Sequence, residues 1–87
     1  QGAVGRDHNG GTFVSWLAGA GIKGGASHGV SDEFAYQTAE HKTMCYDLHA
    51  TVLHLMGVDH TRLTWRHNGI DRRLTDVHGE VVHGILA

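Results

Sequence analysis

Proline is absent from the 87-residue chain, and cysteine occurs once, at Cys45. The first absence excludes any active-site segment that requires a proline. The second excludes a disulfide within the chain and a thiolate metal cluster, both of which need a partner thiol. Cys45 follows Met44 and precedes Tyr46 at an expected helix start, so it reads as a small buried hydrophobe. Charge of one sign is also scarce. The formal net charge is -2, where a nucleic-acid binder would show a strongly basic face. Arg62, Arg66, Arg72 and Arg73 do cluster, but Asp59, Asp71 and Asp76 interleave with them, which describes a solvated mixed-charge surface. No nucleic-acid partner is expected. No apolar run approaches the ~20 residues that cross a bilayer, so no membrane partner is expected either. A signal-peptide pattern is missing and residue 1 is Gln1; the expectation is a piece of a longer protein.

What is present is globular in kind. Hydrophobic residues make up 40% and charged residues 18%, too apolar for a disordered segment. The length allows at most one small domain, burying roughly 60–65% of its unfolded surface. Histidine is abundant, at positions 8, 28, 41, 49, 54, 60, 67, 78 and 83. The spacing gives no His-x-x-x-His pair on a helix. His49 and His54 are five residues apart, about 140° around a helix, so they do not readily share a metal. Most of these side chains read as surface or polar-packing residues.

Along the chain, Gly5-Arg6-Asp7-His8-Asn9-Gly10-Gly11 is a polar, glycine-rich loop,. The run Thr12 to Ala18 that follows suits a strand buried on both faces. Gly19-x-Gly21-x-x-Gly24 is a turn; no helix opens after it, as a dinucleotide fingerprint would require. A short strand is expected from Ala26 to Val30, then a turn or cap at Ser31-Asp32. The adjacent carboxylates of Asp32 and Glu33 diverge on almost any backbone and do not make an acid/base pair.

The clearest element is a helix from Asp47 to Gly57, with Leu48, Thr51, Val52, Leu55 and Met56 as its apolar stripe,. Asp47 is placed to cap its start and Gly57 to end it in the left-handed conformation. A connecting turn spans Val58 to Leu63. Asn68-Gly69, between the segments 63–67 and 70–74, signals a β-hairpin. The tail from Glu80 to Leu86 has helix-compatible spacing weakened by Gly84.

The stretches Gly5 to Asn9, Trp16 to Gly25, Ser31 to Phe34, Asp47 to His60 and Leu74 to Glu80 together resemble the C-terminal portion of a bacterial family of uncharacterised sulfatase-like proteins. The resemblance runs over essentially the whole chain, in order. That family is placed in the alkaline phosphatase-like superfamily. A second echo is the closing helix of sulfatases, read as Asp-x-x-Pro-Thr running to an aliphatic-Gly pair, then a loop ending in Asp-Gly. Asp47, Thr51, Gly57 and Val58 match it, with Ala50 in the place of the proline and Asn68-Gly69 in the place of Asp-Gly.

The resemblance implies an α/β fold: the C-terminal piece of an alkaline phosphatase/sulfatase-like α/β sandwich, contributing a strand, a central helix, a β-hairpin and a short C-terminal helix. Residues 1–87 would then be a single partial domain of a larger catalytic domain. It implies divalent metal, zinc or calcium, a small anionic ester as substrate, and a periplasmic or exported parent. His8, with Asp7, falls where the superfamily puts a late metal ligand or substrate-binding histidine, and Lys23 would approach the anionic substrate. The competing reading has Asp7 capping a turn, His8 packing and Lys23 solvated.

Departures from the pattern bear on activity. The Cys/Ser-x-Pro-x-Arg nucleophile segment is excluded by the lack of proline. No Asp-His-Gly motif occurs, since Asn9 follows Asp7-His8 and Thr61 follows Asp59-His60. Hydrolysis by a metal-bound centre needs further ligands and an aligned nucleophile. The chain is therefore expected to be inactive by itself. The rival readings are a small non-enzymatic module binding a metal or protein through its histidines, and a parent that keeps the fold without hydrolysis.

Overall fold

The computed structural model describes residues 4–87. These form two compact units, one from the chain up to Leu17 with Gly29–Lys42, the other from Ala18–His28 with Thr43–Ala87. Each unit carries a two-stranded antiparallel sheet, and the second also carries the only α-helix among the described residues. The architecture is thus a small mixed α/β one. No helix among the described residues is long and apolar enough to cross a membrane.

In the first unit, β1 (Val30–Ser31) pairs with β2 (Thr38–Glu40), Val30 opposite Glu40 and Ser31 opposite Thr38. Asp32 makes the reversal between them. Its Oδ1 accepts from the N–H groups of Phe34 at 3.2 Å and Tyr36 at 2.8 Å, and its Oδ2 from Gln37 at 3.1 Å. A short acidic side chain that captures nearby amides in this way substitutes for a backbone turn. The expected turn at Ser31-Asp32 is therefore present. Of the expected strand from Ala26 to Val30 only Val30 is in β1, which continues into Ser31.

The buried strand expected over Thr12 to Ala18 does not form. The segment belongs to no sheet, and Val14 and Trp16 are 92% and 85% exposed. A strand buried on both faces needs a paired neighbour for its amides and a layer over each face. The sheets here have two strands each and include none of these residues.

In the second unit, α1 (Cys45–Leu55) begins two residues before the expected start. Asp47 consequently lies in the first turn rather than at the cap. Its Oδ2 reaches back to accept the N–H of Met44 at 2.8 Å, satisfying one of the free donors at that end. The other end matches expectation. Gly57 has φ of 81°, its N–H donates to the His54 carbonyl at 2.9 Å, and the Val58 N–H donates to that of Leu53 at 2.9 Å. These paired bonds form a Schellman stop.

The inward face of α1 differs from the expected stripe. Ala50 and Thr51 are fully buried, whereas Val52 and Met56 are exposed. Cys45, expected inside, is also exposed. The face is chosen by a polar clamp. Asp47 Oδ1 accepts the Glu80 N–H at 2.9 Å, and the Thr51 hydroxyl accepts the Val82 N–H at 2.9 Å while donating to the Asp47 carbonyl at 2.7 Å. The spacing is commensurate. Residues four apart on a helix lie ~6 Å along one face, and two residues of extended chain advance ~6.6 Å.

The tail is not the helix its spacing suggests. Amides 80 and 82 are held by side chains of α1, leaving only a 3₁₀ turn at His83–Ile85. Past it, Leu86 bridges Ile22, the Lys23 N–H donates to the Ile85 carbonyl at 2.8 Å, and the Ala87 N–H donates to that of Gly21 at 2.9 Å.

The hairpin forms where Asn68-Gly69 places it. β3 (Thr64–His67) pairs with β4 (Ile70–Arg73) from Thr64 opposite Arg73 to His67 opposite Ile70. Both turn residues have positive φ, 51° and 79°, as a two-residue primed turn requires. Arg66 and Asp71 form an exposed cross-strand ion pair at 3.3 Å, of the kind that contributes little.

Behind the hairpin, His60 and Thr75 are buried, with His60 Nδ1 2.8 Å from Thr75 Oγ1. Arg73 donates to the same hydroxyl oxygen at 3.3 Å.

Replacing Thr51 by Val keeps its shape and orphans the Val82 amide. Denaturant unfolding should report a loss of ~1–3 kcal/mol. Val52→Thr, at an exposed position one residue on, should change stability by less than ~0.5 kcal/mol.

Candidate functional site

Asp7 and His8 share one loop of the first unit, and both are exposed. Asn9, the next residue, fixes the backbone that carries them. Its Oδ1 accepts the Gly11 N–H at 2.9 Å, closing a tight turn,. Its Nδ2 donates to the carbonyls of Ala35 at 3.0 Å and Tyr36 at 3.4 Å, seating the loop on the reversal that Asp32 organises. Gly11 completes the seat. A side chain there would collide with the Tyr36 carbonyl oxygen and come within 2.8 Å of Gln37 Nε2. The Thr38 hydroxyl stands 3.4 Å from Thr12 Oγ1 and 3.5 Å from the Gly11 carbonyl.

His8 thus sits at an open depression that it lines with Asn9, Gly10, Thr12 and Phe13. An adjacent carboxylate and imidazole are donors suited to zinc. Among the described residues, no three His, Cys, Asp or Glu side chains converge on a point that would hold a metal ion. The pair is therefore a partial ligand set at most. Lys23 belongs to the second unit, where it is exposed and its backbone is tied to Ile85.

The second Asp-His pair is structural. Asp59 Oδ1 accepts from the Thr61 hydroxyl at 2.6 Å and the Thr61 N–H at 2.9 Å. These bonds, the side-chain one foremost, hold the Asp59 carboxyl below its ordinary pKa,. His60 turns inward to Thr75 instead. The two side chains are thus committed to different partners.

Asn9 and Gly11 are the residues that sequence reasoning passed over. Asn9 entered only as a departure from an Asp-His-Gly motif. The available signal was Asn with Gly two positions on, a combination that favours an Asx turn.

Gly11→Ala should unseat the loop. Amide exchange at Gly11's position should accelerate and the His8 ring resonances should shift, whereas Gly10→Ala, where an added Cβ meets nothing within 4 Å, should leave both unchanged. For Asp59, a carboxyl titration by NMR should place its midpoint below the ordinary ~3.9. A depressed folded pKa contributes stability above the unfolded value and loses it as pH falls through the folded one. Thr61→Ala should therefore move the midpoint back up.

No curated protein and no solved structure matches this chain. A family model does match it, over residues 1–86, and carries the description "Protein of unknown function (DUF1501)". That match takes in the loop, both sheets and the helix, so the chain belongs to this uncharacterised family.

Proposed function

We propose that this chain is the C-terminal part of a metal-dependent, sulfatase-like or phosphatase-like hydrolase of sulfate or phosphate esters, inactive by itself. The observation that carries the reading is the Asp7-His8 loop: two metal-competent side chains, exposed to solvent, on a backbone fixed by Asn9 and Gly11. The resemblance described above supplies the reaction class.

Burial supports the reading of a part within a larger domain. Ala50 is the only fully buried apolar residue among those described, while Phe13, Val14, Trp16, Phe34 and Val77 are exposed. Scattered exposed apolar residues are ordinary, but this many large ones against so small a core is not. The same imbalance disfavours a small self-sufficient module, which would need a core of its own.

As donors, Asp7 and His8 fit part of a zinc or calcium shell, His8 through a neutral ring nitrogen and Asp7 either as a second ligand or by orienting the ring. A divalent metal, when bound, supplies Lewis acidity toward an ester oxygen. Asn9 and Gly11 would keep the pair in place as substrate enters. Lys23 would serve as a cation toward the sulfate or phosphate group. Remaining ligands and the nucleophile would come from outside these 87 residues.

The test is metal content and hydrolysis of an aryl sulfate and an aryl phosphate by the protein containing this chain. His8→Ala should lower metal affinity more than ~100-fold, since losing an outer-shell partner alone costs 10–100-fold, and should abolish turnover. Unchanged stoichiometry with unchanged turnover would remove His8 from the site. Full metal occupancy with no turnover on either ester would favour a parent that keeps the fold without hydrolysis.

A further inference from the structure

We propose a second cation site, at the pair His54 and His83, binding a late divalent transition metal such as zinc or nickel. It does not rest on the hydrolase reading and uses none of that reading's residues. His54 lies in the last turn of α1, and His83 opens the 3₁₀ turn of the tail. Within the helix, His49 lies about 140° away from His54, and no other residue of α1 at ligand spacing from it is a metal donor,. The tail supplies the partner instead.

The two rings are 5.8 Å apart, centroid to centroid, at an interplanar angle of 74°. Ring nitrogens ~2.0–2.1 Å from a tetrahedral metal set two centroids ~5 Å apart, so the pair needs less than 1 Å of closure. The torsion that turns an imidazole about its Cβ–Cγ bond is broad and soft. Binding would turn one ring about that bond so that a nitrogen of each faces a shared point. Both residues are exposed, which leaves room for water to complete the coordination. No third protein ligand joins them among the described residues, so the site is a two-imidazole one and its metal is exchangeable. Imidazole donors favour zinc, copper and nickel over magnesium or calcium.

The location gives the site a mechanical consequence. The N-terminal half of α1 already holds the tail through Asp47 and Thr51, at amides 80 and 82. A metal between His54 and His83 would fasten the other half of the helix to the next residues of the same tail. A ligand that binds only the folded arrangement stabilises it in proportion to its occupancy. The site would therefore act as a metal-dependent staple between helix and tail.

The experiment is a titration of the protein containing this chain with zinc and, separately, nickel, following the thermal midpoint and metal binding by calorimetry. The wild type should bind one equivalent of zinc or nickel that depends on both His54 and His83, with a midpoint that rises as this equivalent fills, and calcium should not fill it. His54→Gln and His83→Gln should each weaken binding at least tenfold and abolish the rise. Both positions are exposed, so the variants should keep the metal-free midpoint within a few degrees, which separates lost ligation from lost folding. His8→Ala should leave this binding untouched. Retention of that equivalent in both His54→Gln and His83→Gln, or its loss only in His8→Ala, would overturn the proposal. The latter outcome would leave the hydrolase reading standing.

Discussion

The structure of the second unit depends on one contact set: two side chains of α1 accepting two amides of the returning tail. Asp47 and Thr51 are one helical turn apart, and Glu80 and Val82 are alternate residues of the tail. A helix face and an extended strand rarely exchange backbone bonds, because their repeats differ. Here side-chain oxygens bridge the mismatch. Beyond amides 80 and 82 the tail continues to Leu86, which bridges Ile22, and the Gly21–Lys23 segment is tied to it. The clamp is polar and runs from an exposed bond at Asp47 to a part-buried one at the fully buried Thr51, and at the Thr51 end an unmade bond would be the more costly.

This gives a physical meaning to the sulfatase-like echo in the helix. Two of its four matching residues, Asp47 and Thr51, are the clamp. In this chain the pattern of Asp followed four residues later by Thr describes architecture rather than chemistry. The proline position of the echo is occupied by Ala50, which is fully buried. The first unit uses the same economy with a different residue. Asp32 gathers three amides of its turn, and Asn9 seats the Asp7-His8 loop on that turn. Both units are organised by short acidic, amide or hydroxyl side chains that replace missing backbone partners, in a chain with little apolar core.

Local signals in the sequence were reliable where a single residue type forces a conformation. Asn68-Gly69 made its hairpin and Gly57 stopped its helix because positive φ is accessible to few residues, and no distant contact alters that cost. The turn at Asp32 formed for the same kind of local reason. Apolar patterning was less reliable. Thr12 to Ala18 reads as a buried strand, yet it is uncovered, and Val52 and Met56 of the expected stripe lie outside. Burial depends on which surfaces meet, and periodicity alone does not say so. Cys45 fails for the same reason: its type favours the interior, but the clamp rotates it outward.

What the sequence by itself determined, then, is the set of turns and stops, the existence of the one helix, and the Asp7-His8 pair in an exposed glycine-rich loop. What only the tertiary structure decided is which atoms those elements hold. Asn9 and Gly11 fixing the His8 loop, His60 turning away from Asp59 to Thr75, and His54 meeting His83 all join residues at least fifteen positions apart, apart from the short Asn9–Gly11 turn itself. Dihedral preferences act within a few bonds and are written in neighbouring residues. Contacts across the fold arise from chain closure, which no local pattern encodes.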